Sequence, residues 1–397
     1  MTNLDINSLM SKTINKKIQI SLLLIATMGV MSGITVVSSL PLISQTFNHI
    51  PNIEFLSKMM LTIPSIIIAL FAPVAGMIVD KFGRLKPLYT GVLLFIVGGS
   101  SGFYLENFYA ILAGRAVLGI GVALLMTSST ALIGDYLDEK ARHKFMSIQG
   151  MSVAMGGIIF ITAGGLLAQL DWSYPFAIYF LPLLFVPLLL TALYEPQKHH
   201  HVETDIEIEA KLWPVYLTAF FAMVLFYMLP TQLPYLIIET LDGKPSTIGL
   251  VIATAMLFNA LTSRQYARLK GRFSYQQIYM ITFIFFGTGL FIISQASAIT
   301  HLFYSTAFIG IGFGLILVNT NSWFLAKVPA YKRGKASGVL ASSFFLGQFS
   351  SPLLLQPLVK LYGIQGLFLI VSGIALMISL SLFLKERISK KQRDLTK

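Results

Sequence analysis

The feature that most constrains this chain is a succession of long apolar stretches separated by short polar segments. A helix needs about 20 apolar residues to cross a bilayer, and twelve stretches approach that length. Their predicted bounds are 18–40, 57–79, 87–104, 108–133, 145–168, 174–194, 212–238, 247–266, 276–296, 301–325, 336–357 and 366–384. The eighth is the least regular, since it ends in the polar residues Ser263, Arg264 and Gln265. Only 12% of the 397 residues are charged, against about 25% in a soluble domain. The sequence therefore predicts an all-α integral membrane protein.

Lysine and arginine are distributed unevenly between the predicted loops. With the N-terminus in the cytoplasm, the inner segments hold 25 of the 29 basic residues. Lys58, Lys244 and Lys360 fall at the outer side, and Arg115 lies within a span. Because basic residues concentrate in cytoplasmic loops, we predict that both termini are inside. This topology, with contact to anionic lipid, explains the net charge of +12 without a nucleic-acid surface.

The chain has no cysteine, which excludes a disulfide framework, a thiolate metal site and a cysteine nucleophile. His199, His200 and His201 are adjacent in a polar segment, but no second spaced set of ligands accompanies them. A solvated hinge is therefore favoured over a weak metal site. No Ser-His-Asp or metal constellation lies within the spans. We predict no catalytic residue, no metal and no cofactor.

The segment between the second and third stretches reads GMIVDKFGRLK over residues 76–86. It fits the pattern G-x-x-x-D-x-x-G-R-x-K and has long apolar runs on both sides. This combination resembles the loop between helices 2 and 3 of the major facilitator superfamily of transporters. The resemblance covers nearly the whole chain. It implies an all-α integral membrane protein with the major facilitator fold, in which 12 transmembrane helices form two six-helix pseudo-repeats.

The same resemblance implies a gating network at one end of the molecule. Gly76, Asp80, Gly83 and Arg84 occupy the positions of the motif, and Asp135 lies at the inner end of the fourth span. In the family, such residues form a charge network that holds the outward-open state. An acidic group at position 135 can pair with Arg84. The alternative is three solvated loop charges.

Arg115 is the one basic residue well inside a predicted span. A charge at that depth is costly and by default marks a pathway. With Gly119 and Gly121 it resembles the family's second signature, R-x-x-x-G-x-G. We predict that it faces the cavity, orders water and takes part in proton coupling or substrate binding. The alternative is that it snorkels to the outer headgroups.

The fifth span departs from the family pattern. Many antiporters carry G-P-x-x-G-G there, whereas residues 160–165 read FITAGG. Gly164 and Gly165 keep the paired glycines, but Phe160 and Ile161 replace Gly-Pro. This departure weakens the implication of export by antiport.

The chain also matches itself at a shift of 191 positions. The string GIG at 119–121 recurs at 310–312. Further along, the agreeing residues are Arg142, Lys144 and Gly156 with Arg333, Lys335 and Gly347. The resemblance implies two parallel six-helix halves with the substrate site between them near the midplane. We place the N-terminal bundle at 1–194, a cytoplasmic linker at 195–211 and the C-terminal bundle at 212–397.

Twelve span residues are candidates for lining a substrate cavity. They are Met28, Met31, Thr35, Tyr227, Thr231, Tyr235, Asn259, Asn319, Asn321, Trp323, Phe345 and Gln348. Methionine and aromatic side chains form an adaptable apolar wall, and a few polar anchors suit amphipathic solutes. The alternatives are packing for the methionines and helix–helix hydrogen bonds for the buried amides and phenols. Pro230 and Pro234 predict a kinked, moving seventh helix.

The positions of the acidic residues restrict the charge of the substrate. All 17 fall at span ends or in loops, and the first span has none, unlike many drug exporters of the family. Because the midplane offers Arg115 and no countercharge for a cation, we predict neutral or anionic amphipathic substrates. Glu54 and His301, at the outer ends of the second and tenth spans, are further candidates for proton coupling. Asp80 and Asp135 are the alternatives inside.

Within the superfamily the chain most resembles the 12-span drug:proton antiporters of multidrug efflux. The predicted function is export of small neutral or anionic amphipathic compounds by proton antiport through alternating access. The predicted partners are a small-molecule substrate, protons and the lipid bilayer, with no nucleic acid. We expect a functional monomer in the cell inner membrane. The alternatives are an importer or facilitator of a small metabolite and a ligand-binding membrane sensor.

Overall fold

The computed structural model describes residues 15–137, 139–196, 212–328 and 333–395, and helices dominate these ranges. Ten of the described segments are long and apolar enough to cross a membrane, and Leu85–Gly99 is a shorter apolar helix. One of the ten belongs to a helical run, Arg333–Leu395, that is kinked at Gly363. The φ of 71° at this glycine is not helical, so two helices meet there. The described ranges thus contain the twelve apolar helices that the sequence predicts.

We label these helices α1 to α12 in chain order. Their bounds are Lys16–Thr46 (α1), Ile53–Phe82 (α2), Leu85–Gly99 (α3), Phe108–Tyr136 (α4), Glu139–Ala168 (α5), Tyr174–Ala192 (α6), Trp213–Thr240 (α7), Pro245–Lys270 (α8), Tyr275–Ser294 (α9), Ile299–Lys327 (α10), 333–362 (α11) and 364–395 (α12). The eighth helix continues past the polar residues that made its sequence irregular.

Two of the helices are interrupted. In α1, a short 3-10 turn at Val37–Ser39 separates Lys16–Ile34 from Leu40–Thr46. Pro41 lies in the first turn of the second part, where proline is tolerated. In α7, the helix is interrupted at Tyr227 and ends in a π-turn, Leu236–Thr240. The interruption at Tyr227 lies one turn before Pro230, which has no N–H to donate to the preceding turn, and the predicted movement of α7 remains a prediction.

The chain forms two compact units. Unit 1 contains Met1–Val36, Met60–Ala163 and Ser173–Thr204, and unit 2 contains Val37–Met59, Gly164–Trp172 and Asp205–Lys397, in each case as far as these residues are described. The first part of α2 and the end of α1 therefore belong to unit 2. The expected division into bundles 1–194 and 212–397 remains a prediction. Residues 197–211, most of the expected linker with its three histidines, lie outside the described ranges.

The internal repeat is visible in how the GIG glycines pack. In unit 1, a Cβ on Gly119 would lie 2.9 Å from the carbonyl oxygen of Pro64 on α2, and one on Gly121 would lie 2.7 Å from the nitrogen of Phe95 on α3. In unit 2, a Cβ on Gly310 would lie 2.3 Å from the carbonyl oxygen of Ala255 on α8, and the glycine at 312 faces α9 in the same way. Helices α4 and α10 therefore use the same small residues to approach equivalent neighbours closely.

Candidate functional site

The loop between α2 and α3 forms a charged cluster in unit 1. Arg84 donates through Nε to Oδ2 of Asp135 on α4 at 3.0 Å, and both side chains are largely buried. Its Nη1 lies 3.6 Å from Oδ1 of Asp80, one helical turn earlier on α2, whose side chain is exposed. The three charges predicted for a gate are therefore brought together. The shielded Arg84–Asp135 pair is the stronger of the two contacts, because solvent screens the pair with Asp80.

Glu195 completes this cluster and was missed by sequence reasoning. Its Oε1 accepts from the backbone nitrogen of Arg84 at 2.6 Å, and its Oε2 accepts from that of Leu85 at 2.9 Å. These two groups lie at the N-terminus of α3, where a carboxylate is favoured by unpaired N–H donors and by the helix dipole. The contact links residues 111 positions apart. The sequence shows only an acidic residue after an apolar span, and carries no signal for this partner.

The two motif glycines differ in what they require. Gly83 has a φ of 88°, and a Cβ there would lie 2.7 Å from Oε1 of Glu195. Both facts demand glycine at this position. A Cβ on Gly76 would meet nothing within 4 Å, so its place in α2 imposes no such requirement.

Arg115 is fully buried in unit 1, where its guanidinium connects three other helices. Its Nε donates to the carbonyl oxygen of Met60 on α2 at 2.9 Å, and its Nη2 donates to that of Ser32 on α1 at 2.7 Å. Its Nη1 donates to the hydroxyl of Tyr179 on α6 at 3.0 Å. Ser32 lies just before the interruption of α1, where the last carbonyls of a helix need partners from outside it.

In this conformation the Arg115 side chain is closed off from solvent by its hydrogen-bonding partners. The predicted role in proton coupling or substrate binding remains a prediction. The acceptors of these three bonds are neutral oxygens, and Tyr179 in turn donates to the carbonyls of Met31 and Ser32 at 3.2 Å. A cation buried among neutral dipoles is little screened by water, so its interaction with a nearby anion is strong.

Unit 2 contains a second fully buried cation, Lys58, which sequence analysis placed at the outer side and did not select. Its Nζ donates to Oε1 of Glu54 at 2.5 Å. It also donates to Oε1 of Gln232 on α7 at 2.8 Å and to Oε1 of Gln356 on α11 at 3.0 Å. The signal in the sequence was a lysine near the end of an apolar span. Its partners, 174 and 298 positions away, carry no local pattern.

Tyr235 packs beside this lysine. The ammonium nitrogen lies 4.6 Å from the centre of the Tyr235 ring, a cation–π geometry. The Tyr235 hydroxyl shares hydrogen bonds with Oγ of Ser44 at 2.8 Å and with Oγ of Ser57 at 2.7 Å. Tyr235 was predicted to line a cavity, but in this conformation it is buried and connects α7 to α1 and α2.

The other cavity candidates fall into two groups. Seven are buried in the described structure: Met28, Met31, Thr35, Tyr227, Thr231, Tyr235 and Asn319. Five keep partial exposure: Asn259, Asn321, Trp323, Phe345 and Gln348. Asn319 accepts from the hydroxyl of Tyr266 at 2.9 Å and donates to the carbonyl of Tyr275 at 3.0 Å. Asn319 is thus a helix–helix hydrogen-bonding residue here, which was the alternative reading.

The two remaining candidates for proton coupling have different environments. Glu54 faces Lys58 and keeps two-fifths of its side chain exposed. His301 accepts through Nδ1 from the backbone nitrogen of Ser297 at 3.3 Å, at the start of α10. The histidine contact is local and stabilises the end of a helix. Of the two, only Glu54 has a buried ionic partner.

The sequence profile of the Major Facilitator Superfamily matches residues 20–213 and 215–397. The chain belongs to this superfamily, so it is a multi-pass membrane transporter and not an enzyme.

Similar proteins include named exporters. The Bacillibactin exporter of Bacillus subtilis (strain 168) is 31% identical over 166 residues, which are 37% of this chain and 41% of that protein. Multidrug resistance protein 1 of the same organism is 25% identical over 300 residues, which are 71% of this chain and 75% of that protein. A bacterial homologue of the human lysosomal transporter Spinster, solved in an inward-facing and occupied conformation, superposes with a TM-score of 0.75 at 17% identity. That alignment covers 93% of this chain and 96% of the other, and shows the fold alone.

Proposed function

We propose that this transporter exports small neutral or anionic amphipathic compounds by proton antiport through alternating access. The similarity to Multidrug resistance protein 1, which extends over 71% of the chain, supports a role in resistance to drugs, as export of such compounds would give. The similarity to the Bacillibactin exporter supports the same direction of transport over a shorter part. We further propose that the protein works as a monomer in the cell inner membrane with both termini in the cytoplasm.

The proposed class of substrate is inferred from the sign of the charges buried in the protein. Among the described residues, the fully buried charged side chains are Lys58 and Arg115, and both are cations. A buried cation attracts anions and repels cations strongly, because little solvent screens the interaction. This distribution supports neutral and anionic substrates over lipophilic cations.

Arg115 is our proposed centre of coupling. Its hydrogen bonds hold backbone carbonyls of α1 and α2, so movement of either helix changes the environment of the guanidinium. Arginine does not release its proton in proteins. We therefore propose that it orders water and biases the charge of a transported species, rather than carrying the proton itself.

The cluster of Asp80, Arg84 and Asp135 is our proposed gate. The Arg84–Asp135 bond joins the start of α3 to the end of α4, and Glu195 holds the N-terminus of α3 beside it. Gly83 permits the turn that places these groups together. A transition that separates α2, α3 and α4 at this end must break these contacts, so they stabilise one state over the other.

Flux in proteoliposomes with an imposed pH gradient tests this function. The assay compares wild type with Arg115→Ala and the milder Arg115→Lys, on neutral, anionic and cationic amphipaths. Arg264→Ala, at an exposed arginine on α8, is the matched control. We expect gradient-driven flux of neutral and anionic compounds that is lost in the Arg115 variants and kept in the control. A preference for cations, or flux unaffected by Arg115→Ala, would contradict the proposal.

A second candidate function is import or facilitated diffusion of a small metabolite. The fifth span favours it, because Phe160 and Ile161 stand where many antiporters have Gly-Pro. The remaining Gly165 packs against α8, where a Cβ would lie 3.0 Å from the carbonyl oxygen of Pro245. Flux that equilibrates without responding to the pH gradient, measured in oriented vesicles, would favour this function.

A further inference from the structure

We propose that Lys58 and Gln232 form a binding site for a carboxylate group of the transported compound, and that the Glu54 carboxylate occupies this site in the present structure. The proposal rests on the proposed function and deepens it, because it assigns the residue that selects anionic substrates. All residues of the site belong to unit 2.

The partners of Lys58 differ in kind from those of Arg115. Arg115 donates to two backbone carbonyls and a tyrosine hydroxyl, which are fixed by the helices that carry them. Lys58 donates to the tips of three long side chains, of which Glu54 alone is partly exposed and the two glutamines are buried. The contact with Glu54 is therefore exchangeable within one conformation of the backbone.

Glu54 is the partner that an incoming anion can replace. It lies one helical turn before Lys58 on α2, and two-fifths of its side chain is exposed while that of Lys58 is closed off. A buried ammonium is costly to leave without an anion, so Glu54 turns outwards only as another carboxylate takes its place, and its partly exposed position allows this exchange. Replacing it with a substrate carboxylate leaves the number of negative charges around the buried ammonium unchanged, so no net charge is added to the interior.

Gln232 supplies a second observation that points to a ligand. Its side chain is fully buried, and its amide nitrogen Nε2 has no hydrogen-bond partner among the described residues. Its Oε1 lies 2.8 Å from the lysine nitrogen, and the two ends of an amide are about 2.2 Å apart by its bond lengths. The unpaired donor therefore lies within about 5 Å of the ammonium. A buried donor without a partner is costly, and a carboxylate with two oxygens can satisfy both groups.

The remaining neighbours hold the ammonium in place. Gln356 accepts from Lys58, and the Tyr235 ring lies against it. Tyr235 is itself anchored by Ser44 and Ser57. These contacts keep the cation positioned when Glu54 turns away, as a preorganised anion site requires.

Binding of benzoate and of benzamide tests the site, because the two probes have nearly the same shape and differ in charge. The full-length protein in lipid nanodiscs is studied by equilibrium dialysis. In Glu54→Gln the competing charge is removed, so we expect benzoate to bind about tenfold or more tightly than in wild type, with benzamide unchanged. In Glu54→Gln combined with Lys58→Gln, this gain should be lost.

Lys360→Gln is the matched control, since it removes the same charge from an exposed lysine of unit 2 that contacts Asn52. Lys58→Arg, which keeps the charge, should retain benzoate binding and guards against a variant that fails to fold. Gln232→Met should weaken benzoate binding without changing any charge. The proposal is overturned if Glu54→Gln gains no affinity for benzoate, if benzamide follows benzoate, or if the control behaves like Lys58→Gln.

A flux measurement separates failure of this site from failure of the proposed function. If the protein moves amphipathic compounds under a pH gradient but Lys58→Gln keeps the wild-type ratio of carboxylate to amide flux, the function stands and the site fails. If benzoate binding follows the expected pattern but no amphipath is transported, the site stands and the proposed function fails.

Discussion

Nε of Arg84 lies 3.0 Å from Oδ2 of Asp135, although the two residues are 51 positions apart and lie at the ends of different helices. Both side chains are largely withdrawn from solvent, whereas Asp80, the other acidic partner of Arg84, is mostly exposed. The two carboxylates of this gate are therefore unequal, and substitutions should reveal the difference.

Asp135→Asn should reduce transport much more than Asp80→Asn. The first substitution leaves the largely buried Arg84 guanidinium beside a neutral group and removes a charged hydrogen bond of about 1.5–3 kcal/mol. The second removes a pair that solvent already screens. Initial rates of flux in proteoliposomes measure both effects. Exchanging the charges, with Arg84→Asp and Asp135→Arg together, should restore part of the loss, and equal effects of the two single substitutions would contradict the assignment.

Gly83→Ala should destabilise the protein, whereas Gly76→Ala should not. At position 83 a Cβ meets a positive φ and the Glu195 carboxylate, at a cost of about 1–3 kcal/mol. At position 76 a Cβ meets nothing, and the substitution replaces a glycine inside a helix. Such a replacement stabilises the folded protein by about 0.5–1 kcal/mol. Thermal unfolding in detergent should therefore give a lower Tm for the first and an unchanged or higher Tm for the second. A lower Tm for both would show that Gly76 packs closely against a neighbouring helix.

Tyr179→Phe should impair transport while leaving the fold intact. It removes the hydroxyl that accepts from Arg115 and that donates to α1, so a buried guanidinium N–H loses its partner at a cost of about 1–3 kcal/mol. The aromatic ring, which packs against Phe95, is kept. Tyr174→Phe, at an exposed tyrosine of the same helix, is the control. Gradient-driven flux at matched protein amounts is the measurement. Equal rates for the two variants would show that the Tyr179 hydroxyl does not contribute to the function of Arg115.

Asn319→Ala should lower stability without changing substrate preference. The Asn319 amide joins Tyr266 of α8 to the Tyr275 carbonyl of α9, and interhelical hydrogen bonds of this kind are worth about 0.6–1.7 kcal/mol in membranes. Asn321→Ala loses one contact within its own helix, to the Leu317 carbonyl, and should leave the Tm nearly unchanged. Unfolding curves and flux over a panel of compounds distinguish the two. A changed substrate preference in Asn319→Ala at unchanged stability would indicate that Asn319 lines the substrate cavity.

The fold could be predicted from the sequence because a bilayer imposes length and polarity on every span. The twelve helices, the kinked α7 and the charges beside Gly83 all follow from local patterns of apolar, proline, glycine and basic residues. The pairing of Arg84 with Asp135 could also be predicted, because the resemblance to a family motif implied it.

What the sequence did not reveal depends on contacts between distant helices. Lys58 was assigned to the outer side of the membrane by its position near a span end, and its burial by side chains of α7 and α11 has no local signal. Glu195 was assigned to a polar linker, yet it binds the first nitrogens of α3. Arg115 was recognised as buried in a span, but the neutral carbonyls that surround it belong to backbone, which leaves no trace in residue types.

One turn of α2 carries contacts to both buried cations. Lys58 projects its own ammonium from this turn, and two residues later the carbonyl of Met60 accepts from Arg115. A helical turn behaves as a nearly rigid piece with a pitch of about 5.4 Å, so this turn cannot slide or rotate without altering the surroundings of both side chains. The hydrogen bonds of both cations therefore depend on one short stretch of backbone, residues 58–60.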